Sequence, residues 1–184
     1  CMRVREMGEN GEHLLGAIIN SSPVYLGGGN MRYDELPVEE AESYRKFVLE
    51  HKQKQTPRIF VGSNDGMLHA FNAKTLEEIF AYIPAGVFPK LADLTKPGYA
   101  KSIDNPHQYF VDGPLAVGDV YIGDKWRSVL VGTLGAGGKS IFALDVTDPD
   151  EPPQVLFEIS AADYPELGFI TGRPYIVPLK KESG

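Results

Sequence analysis

Residues 58–84 read RIFVGSNDGMLHAFNAKTLEEIFAYIP, a series of short apolar runs separated by polar turns. The stretch 127–160, RSVLVGTLGAGGKSIFALDVTDPDEPPQVLFEIS, repeats the order. Each has an apolar run through Val-Gly, a glycine-bearing turn, and a run with Ala set among aromatic and apolar neighbours. A polar turn at Thr75 or Thr147 follows, then a last run holding Phe80 or Phe157. Runs this short, rich in β-branched and aromatic residues and bounded by Gly, Asn, Asp and Pro, predict strands. A second piece recurs as NSSPVYLG (20–27), VDGPLAVG (111–118) and TGRPYIVP (171–178): a small or polar residue, a proline, then a strand.

Four short antiparallel strands per repeating unit is the arrangement of a β-propeller blade. The residue types fit it. Turns such as Asn64-Asp65-Gly66 tolerate the positive φ of a tight hairpin, and Pro23, Pro114 and Pro174 fall at strand starts, where a missing N–H spares the ladder. The expected fold class is all-β, a partial β-propeller of four-stranded antiparallel blades with one inserted helix. A β-sandwich of ordinary meanders is the competing reading. A ring closes with roughly four to eight blades, so 1–184 is expected to be a segment of one propeller domain, about two blades plus the first strand of a third.

Two stretches interrupt the repeat. LPVEEAESYRKFVLEHKQ (36–53) predicts a helix, with Pro37 at its start, glutamates in the first turn, basic residues in the last, and Ala41, Tyr44 and Val48 on one face. PAGVFPKLADLTKPGYAKSIDNPHQ (84–108) predicts a loop with one helical turn at 90–94. Insertions of this kind carry contacts or cover an edge. The groups offered for contact are Arg45, Lys46, His51 and Lys52 on the first, Phe88 and Tyr99 on the second.

Composition narrows the partners. The chain has 184 residues, 42% hydrophobic and 23% charged, with a net charge of −7 and no Lys/Arg cluster, which disfavours nucleic acid. No apolar stretch is long enough for a membrane-spanning helix. Cys1 is the single cysteine, which excludes an internal disulfide, and the Cys-Met-Arg start suggests the interior of a longer chain. The glycine-rich loop ending in Gly138-Lys139-Ser140 resembles a phosphate cradle, but that motif needs glycine where Thr133 stands and a helix where Ser140–Asp145 reads as a strand. A solvent-facing hairpin is expected there instead.

Several of these segments together resemble the C-terminal β-propeller of type IV pilus assembly and adhesion proteins of the PilC/PilY type: LLGAIINSSPVYLG (14–27), RIFVGSNDGMLHAFNAKT (58–75), FAYIPAGVFPKLADLT (80–95), HQYFVDGPLAVGDVYIGDKWRSVLVGTLGAGGKSIFALDVTDP (107–149) and LGFITGRPYIV (167–177). The resemblance implies a non-enzymatic protein of the periplasm, outer membrane or cell surface, at the pilus tip. It would support pilus assembly, oppose retraction, and contribute to adhesion and twitching motility. The partners implied are pilins, minor pilins or other tip proteins, and host-cell or abiotic surfaces.

The resemblance also implies calcium as a ligand of the family, held in a loop of closely spaced aspartates that is not seen in this segment. That spacing is not met in these residues; the weak candidates are Asp145, Asp148 and Asp150, interrupted by Pro149 and lacking a turning glycine. No cofactor is expected within the segment. Residues 70–80 also resemble the blade repeat of quinoprotein dehydrogenases, which makes the expected propeller quinoprotein-dehydrogenase-like. Leu76 stands where that repeat has glycine, and Phe80 where it has tryptophan. A quinoprotein-like dehydrogenase fragment and a purely structural scaffold are the alternatives. His69, within a strand, is expected to satisfy hydrogen bonds of its own blade.

Overall fold

The computed structural model describes residues 6–7, 13–37 and 39–178. Cys1 and the charged residues at 180–182 lie outside them. Two four-stranded sheets form the body. The first holds β3 (Val24–Leu26), β4 (Arg58–Gly62), β5 (Leu68–Asn72) and β6 (Glu78–Tyr82) in chain order. The second holds β7 (Leu115–Ile122), β8 (Lys125–Thr133), β9 (Ser140–Asp145) and β10 (Gln154–Ser160), again in chain order. Every pairing is antiparallel and joins strands consecutive in the chain. This is the meander of a blade rather than the crossed connections common in sandwiches. A short ribbon of β1 (Glu6–Met7) and β2 (His13–Leu14) precedes them.

The two blades share one core. Leu26, Phe60, Leu68 and Ala70 of the first pack with Leu115, Leu130, Phe142 and Leu144 of the second, all buried. Burying a side chain of this size contributes about 1.5–3 kcal/mol. Gly132 is required here because the Phe142 ring lies across it, where a Cβ would collide with the ring. The β7–β8 hairpin turns through Gly123 and Asp124, at φ 60° and 59°, the left-handed pair of a type I′ turn.

The insertions differ from expectation. In place of one helix over 36–53, α1 spans Ala41–Glu50, preceded by a 3₁₀ turn Tyr33–Glu35 and followed by another at Lys52–Lys54. Its last turn carries no basic residue, because the lysines fall in the following 3₁₀ turn. Phe47 joins Tyr44 and Val48 on the buried face, and Ala41 is only half-buried. Over 84–108 the predicted single turn is part of a longer 3₁₀ segment, Ala85–Thr95.

The glycine-rich loop is not a solvent-facing hairpin. Gly135 and Gly137 are buried against the 110–113 segment, and a Cβ on Gly137 would overlap the Phe110 carbonyl. Lys139 points outward, its Nζ 5.6 Å from the Phe169 ring centre. The third-blade strand expected at 171–178 is not paired with any strand among the described residues. Ile176 nevertheless lies against Gly118 of β7 while Tyr175 and Val177 face out, the alternation of an extended strand.

Leu76 sits at φ 61° with its side chain exposed, so the turn keeps a conformation suited to glycine although the residue is not one. Leu76→Gly is expected to stabilise the chain by about 0.5–1 kcal/mol, the left-handed strain relieved less the entropy glycine loses on folding. A urea unfolding midpoint that rises checks it; an unchanged or lower midpoint contradicts it.

Candidate functional site

The insertion between β3 and β4 belongs to the first blade by sequence and docks on the second. Asp119 of β7 is the anchor. Its Oδ2 accepts from Lys52 Nζ at 2.5 Å and from Tyr44 Oη at 2.5 Å, and its Oδ1 accepts from Ser128 Oγ at 2.8 Å. The lysine and aspartate side chains are 1% and 0% exposed. Lys52 also donates to the Gly29 carbonyl at 3.0 Å. Lys52 was expected on the outer contact surface; it is instead the most deeply buried cation of the insertion. Around this centre Tyr33, Tyr44, Phe47 and Trp126 form an aromatic cluster, and the Trp126 indole donates to Ser43 Oγ at 2.9 Å. Burial and the hydrogen bond to Asp119 push the Tyr44 phenol well above its ordinary range.

A second buried polar centre lies in the first blade. His69 of β5 places Nε2 3.0 Å from Asp65 Oδ2 and Nδ1 2.7 Å from Glu78 Oε1. Burial opposes the imidazolium, yet the hydrogen bonds and charges of Asp65 and then Glu78 outweigh it and raise the His69 pKa. Burial likewise opposes the Asp65 charge, and His69 with the Gly16 and Met67 N–H groups outweighs it, lowering that pKa. The histidine therefore satisfies its own blade, as its place within a strand suggested. Asp112, also buried, accepts from the Asn20 backbone and side chain and from Asn64 Nδ2. Asp65 and Asp112 thus seat residues 16–20 on the blade.

The calcium candidates do not converge. Asp145 accepts from Arg127 and from the Thr147 N–H and hydroxyl, while Asp148 accepts from the Asp150 N–H in a local turn. Among the described residues, no group of three His, Cys, Asp or Glu is placed to hold a metal. The other contact candidates separate, and His51 is exposed just after α1. Arg45 and Lys46 are exposed on α1, where Arg45 meets Asp34 and Lys46 meets Glu50. Phe88 is exposed on the 3₁₀ segment, but Tyr99 is half-buried in its own loop, its hydroxyl exchanging hydrogen bonds with the Gln108 backbone. Asp119 and Ser128 escaped notice in the sequence because both read as ordinary strand positions.

A family model described as the PilY1 beta-propeller domain matches residues 15–178. The chain belongs to the PilY1 β-propeller family. It is 44% identical, over 90% of its length, to "Type IV pilus biogenesis factor PilY1" of Pseudomonas aeruginosa strain UCBPP-PA14, covering 14% of that protein. To a PilY1 homolog of Xylella fastidiosa strain Temecula1 it is also 44% identical, over 89% of the chain and 13% of the relative. The chain thus spans only about one-seventh of the PilY1 relatives it matches. The crystal structure of the Pseudomonas aeruginosa PilY1 C-terminal domain superposes with a TM-score of 0.64 at 37% identity, over 84% of this chain and 29% of that one. The two sheets described above are accordingly PilY1 propeller blades.

Two stability effects follow from these centres. Lys52→Ala leaves a buried carboxylate without its counter-charge and is expected to destabilise by about 3–5 kcal/mol, read from urea unfolding. Adding Asp119→Ala should cost less than the sum of the single changes, because the pair is coupled. The pH effect has a definite sign. The stabilisation from the raised His69 pKa is fully present below its ordinary 6.5 and is lost as pH rises through the folded value. The Asp65 contribution is present above its ordinary 3.8 and is lost as pH falls through its lowered value. Unfolding midpoints should therefore be highest between those limits and decline on the alkaline side, a decline that His69→Gln reduces.

Proposed function

We propose that this chain is a non-enzymatic propeller segment of a type IV pilus biogenesis factor, acting at the cell envelope or surface to support pilus assembly. The observation that supports this is the 44% identity, along nine-tenths of the chain, to proteins carrying that name. The interior fits a scaffold. Asp119, His69, Asp65 and Asp112 all use their polar atoms to hold blade to blade or chain to blade. Within this reading the protein stands at the pilus tip, opposes retraction, contributes to adhesion and twitching, and meets pilins or minor pilins. Its outward groups for those contacts are Arg45 and Lys46 on α1 and Phe88 beyond the first blade.

The test uses the full-length protein in its own bacterium. Deleting its gene should reduce surface pili and twitching, and wild-type complementation should restore both. Complementation with Lys52→Ala should fail through loss of the folded blades. Arg45→Glu with Lys46→Glu, both exposed, should leave protein level intact and reduce twitching. Unchanged piliation on gene deletion would overturn the proposal. Unchanged twitching in the charge-reversed variant would restrict the insertion to its structural role.

A further inference from the structure

An open groove of about 550 Å³ runs between α1 and the β7–β8 hairpin. Its volume is that of a small-ligand site. Aromatic side chains form its floor: Phe47 from the helix, Tyr121 and Trp126 from the hairpin. Trp126 brings apolar surface to the groove rather than a hydrogen-bond donor, since its N–H is engaged by Ser43 Oγ and the Glu40 carbonyl. The floor is rigid, because Tyr33 and Tyr44 pack on the same indole and Tyr44 is tied to Asp119. A ligand would meet it without the cost of ordering it.

The rim carries both signs in alternation. On one wall Lys46 and Glu50 stand 3.9 Å apart, 72% and 51% exposed. On the other, the Gly123-Asp124 turn presents Asp124 and Lys125 in succession, both exposed, their side chains without a hydrogen bond or ion pair to the described residues. Each wall pairs one lysine with one carboxylate, so neither wall offers a polyanion or a polycation a net attraction. A neutral, polyhydroxylated ring matches that pairing. Its C–H face covers aromatic surface, while its hydroxyls both accept from lysine and donate to carboxylate. We propose that this groove binds a neutral saccharide, stacked on the exposed Tyr121 ring, which is tilted 58° from the Trp126 indole beside it, and hydrogen-bonded at its edge by Asp124 and Lys125. This binding activity goes beyond the assembly role, with whose contact groups the groove shares only Lys46.

The full-length protein is screened against an array of neutral, sialylated and sulfated oligosaccharides, and the strongest neutral ligand is titrated by calorimetry. Asp124→Gly keeps the left-handed turn while removing the carboxylate, and Lys125→Ala removes an exposed ammonium. Lys46→Ala tests the opposite wall independently. Unfolding midpoints are measured alongside, and Lys101→Ala, exposed and outside the groove lining, serves as the control. Saturable binding of a neutral saccharide, weakened about tenfold or more by Asp124→Gly and Lys125→Ala at an unchanged midpoint, is the expected result; tenfold corresponds to one charged hydrogen bond. No saturable binding by any neutral glycan, binding that all three groove variants leave intact, or selective capture of the anionic glycans would overturn the proposal. So would recovery of a peptide as the ligand that the variants release.

Discussion

One buried carboxylate fixes the helical insertion of the first blade on the second. The Asp119 side chain has no exposed surface, and in the low-dielectric interior an unpaired charge would cost several kcal/mol. It is tolerated because an ammonium, a phenol and a hydroxyl are all aimed at it, from Lys52, Tyr44 and Ser128. Two of those donors come from the insertion of the other blade. The carboxylate can be satisfied only when α1 lies across β7 and β8, so one desolvated group determines where a whole helix rests.

The apolar contact between the blades is non-directional by comparison. Leucines and phenylalanines attract one another over a range of offsets, whereas the polar ties at the seam allow one. Arg58 reaches from β4 to the Val146 carbonyl at 2.7 Å, and Gln55 reaches the Thr147 carbonyl at 2.5 Å. Glu158 of β10 accepts from Tyr82 and from the Ala85 N–H, joining the outer strands. Arg58 shows the cost of such a tie. Burial lowers its pKa to about 10, and its Nε is left without a hydrogen-bond partner. The seam combines a broad hydrophobic attraction with a few demanding hydrogen bonds, as cores that select one arrangement do.

Much of this arrangement was legible from residue order. The Pro-strand, Val-Gly strand and Ala-Phe strand of each repeat became successive strands of one sheet, because local alternation and turn residues determine hairpins. What failed depends on contacts distant in sequence. Lys52 looked like a surface charge because nothing within its own helix reveals a carboxylate 67 residues later. The loop around Gly135 looked exposed because glycine-rich turns usually are, whereas here the missing side chains let the 110–113 backbone close on it. Residues 171–178 have the pattern of a strand, but a pattern supplies only one side of a ladder. The resemblance identified the family and left the groove unseen, since its walls come from an insertion and a hairpin far apart in the chain.

The placement of the insertion also shapes how the chain reaches its fold. The α1 helix follows the first strand of the first blade, but its anchor arrives only with the first strand of the second. Until β7 is in place, Tyr44, Phe47 and Val48 have no blade surface to cover, and a ten-residue helix alone is marginal in water. The first blade is thus denied its finished form until its neighbour has been made. The pair must be completed together, through contacts of long sequence separation that slow folding and lengthen the exposure of apolar surface. A blade that can neither finish early nor loosen alone makes the two sheets one cooperative unit, and damage at their seam is felt in both.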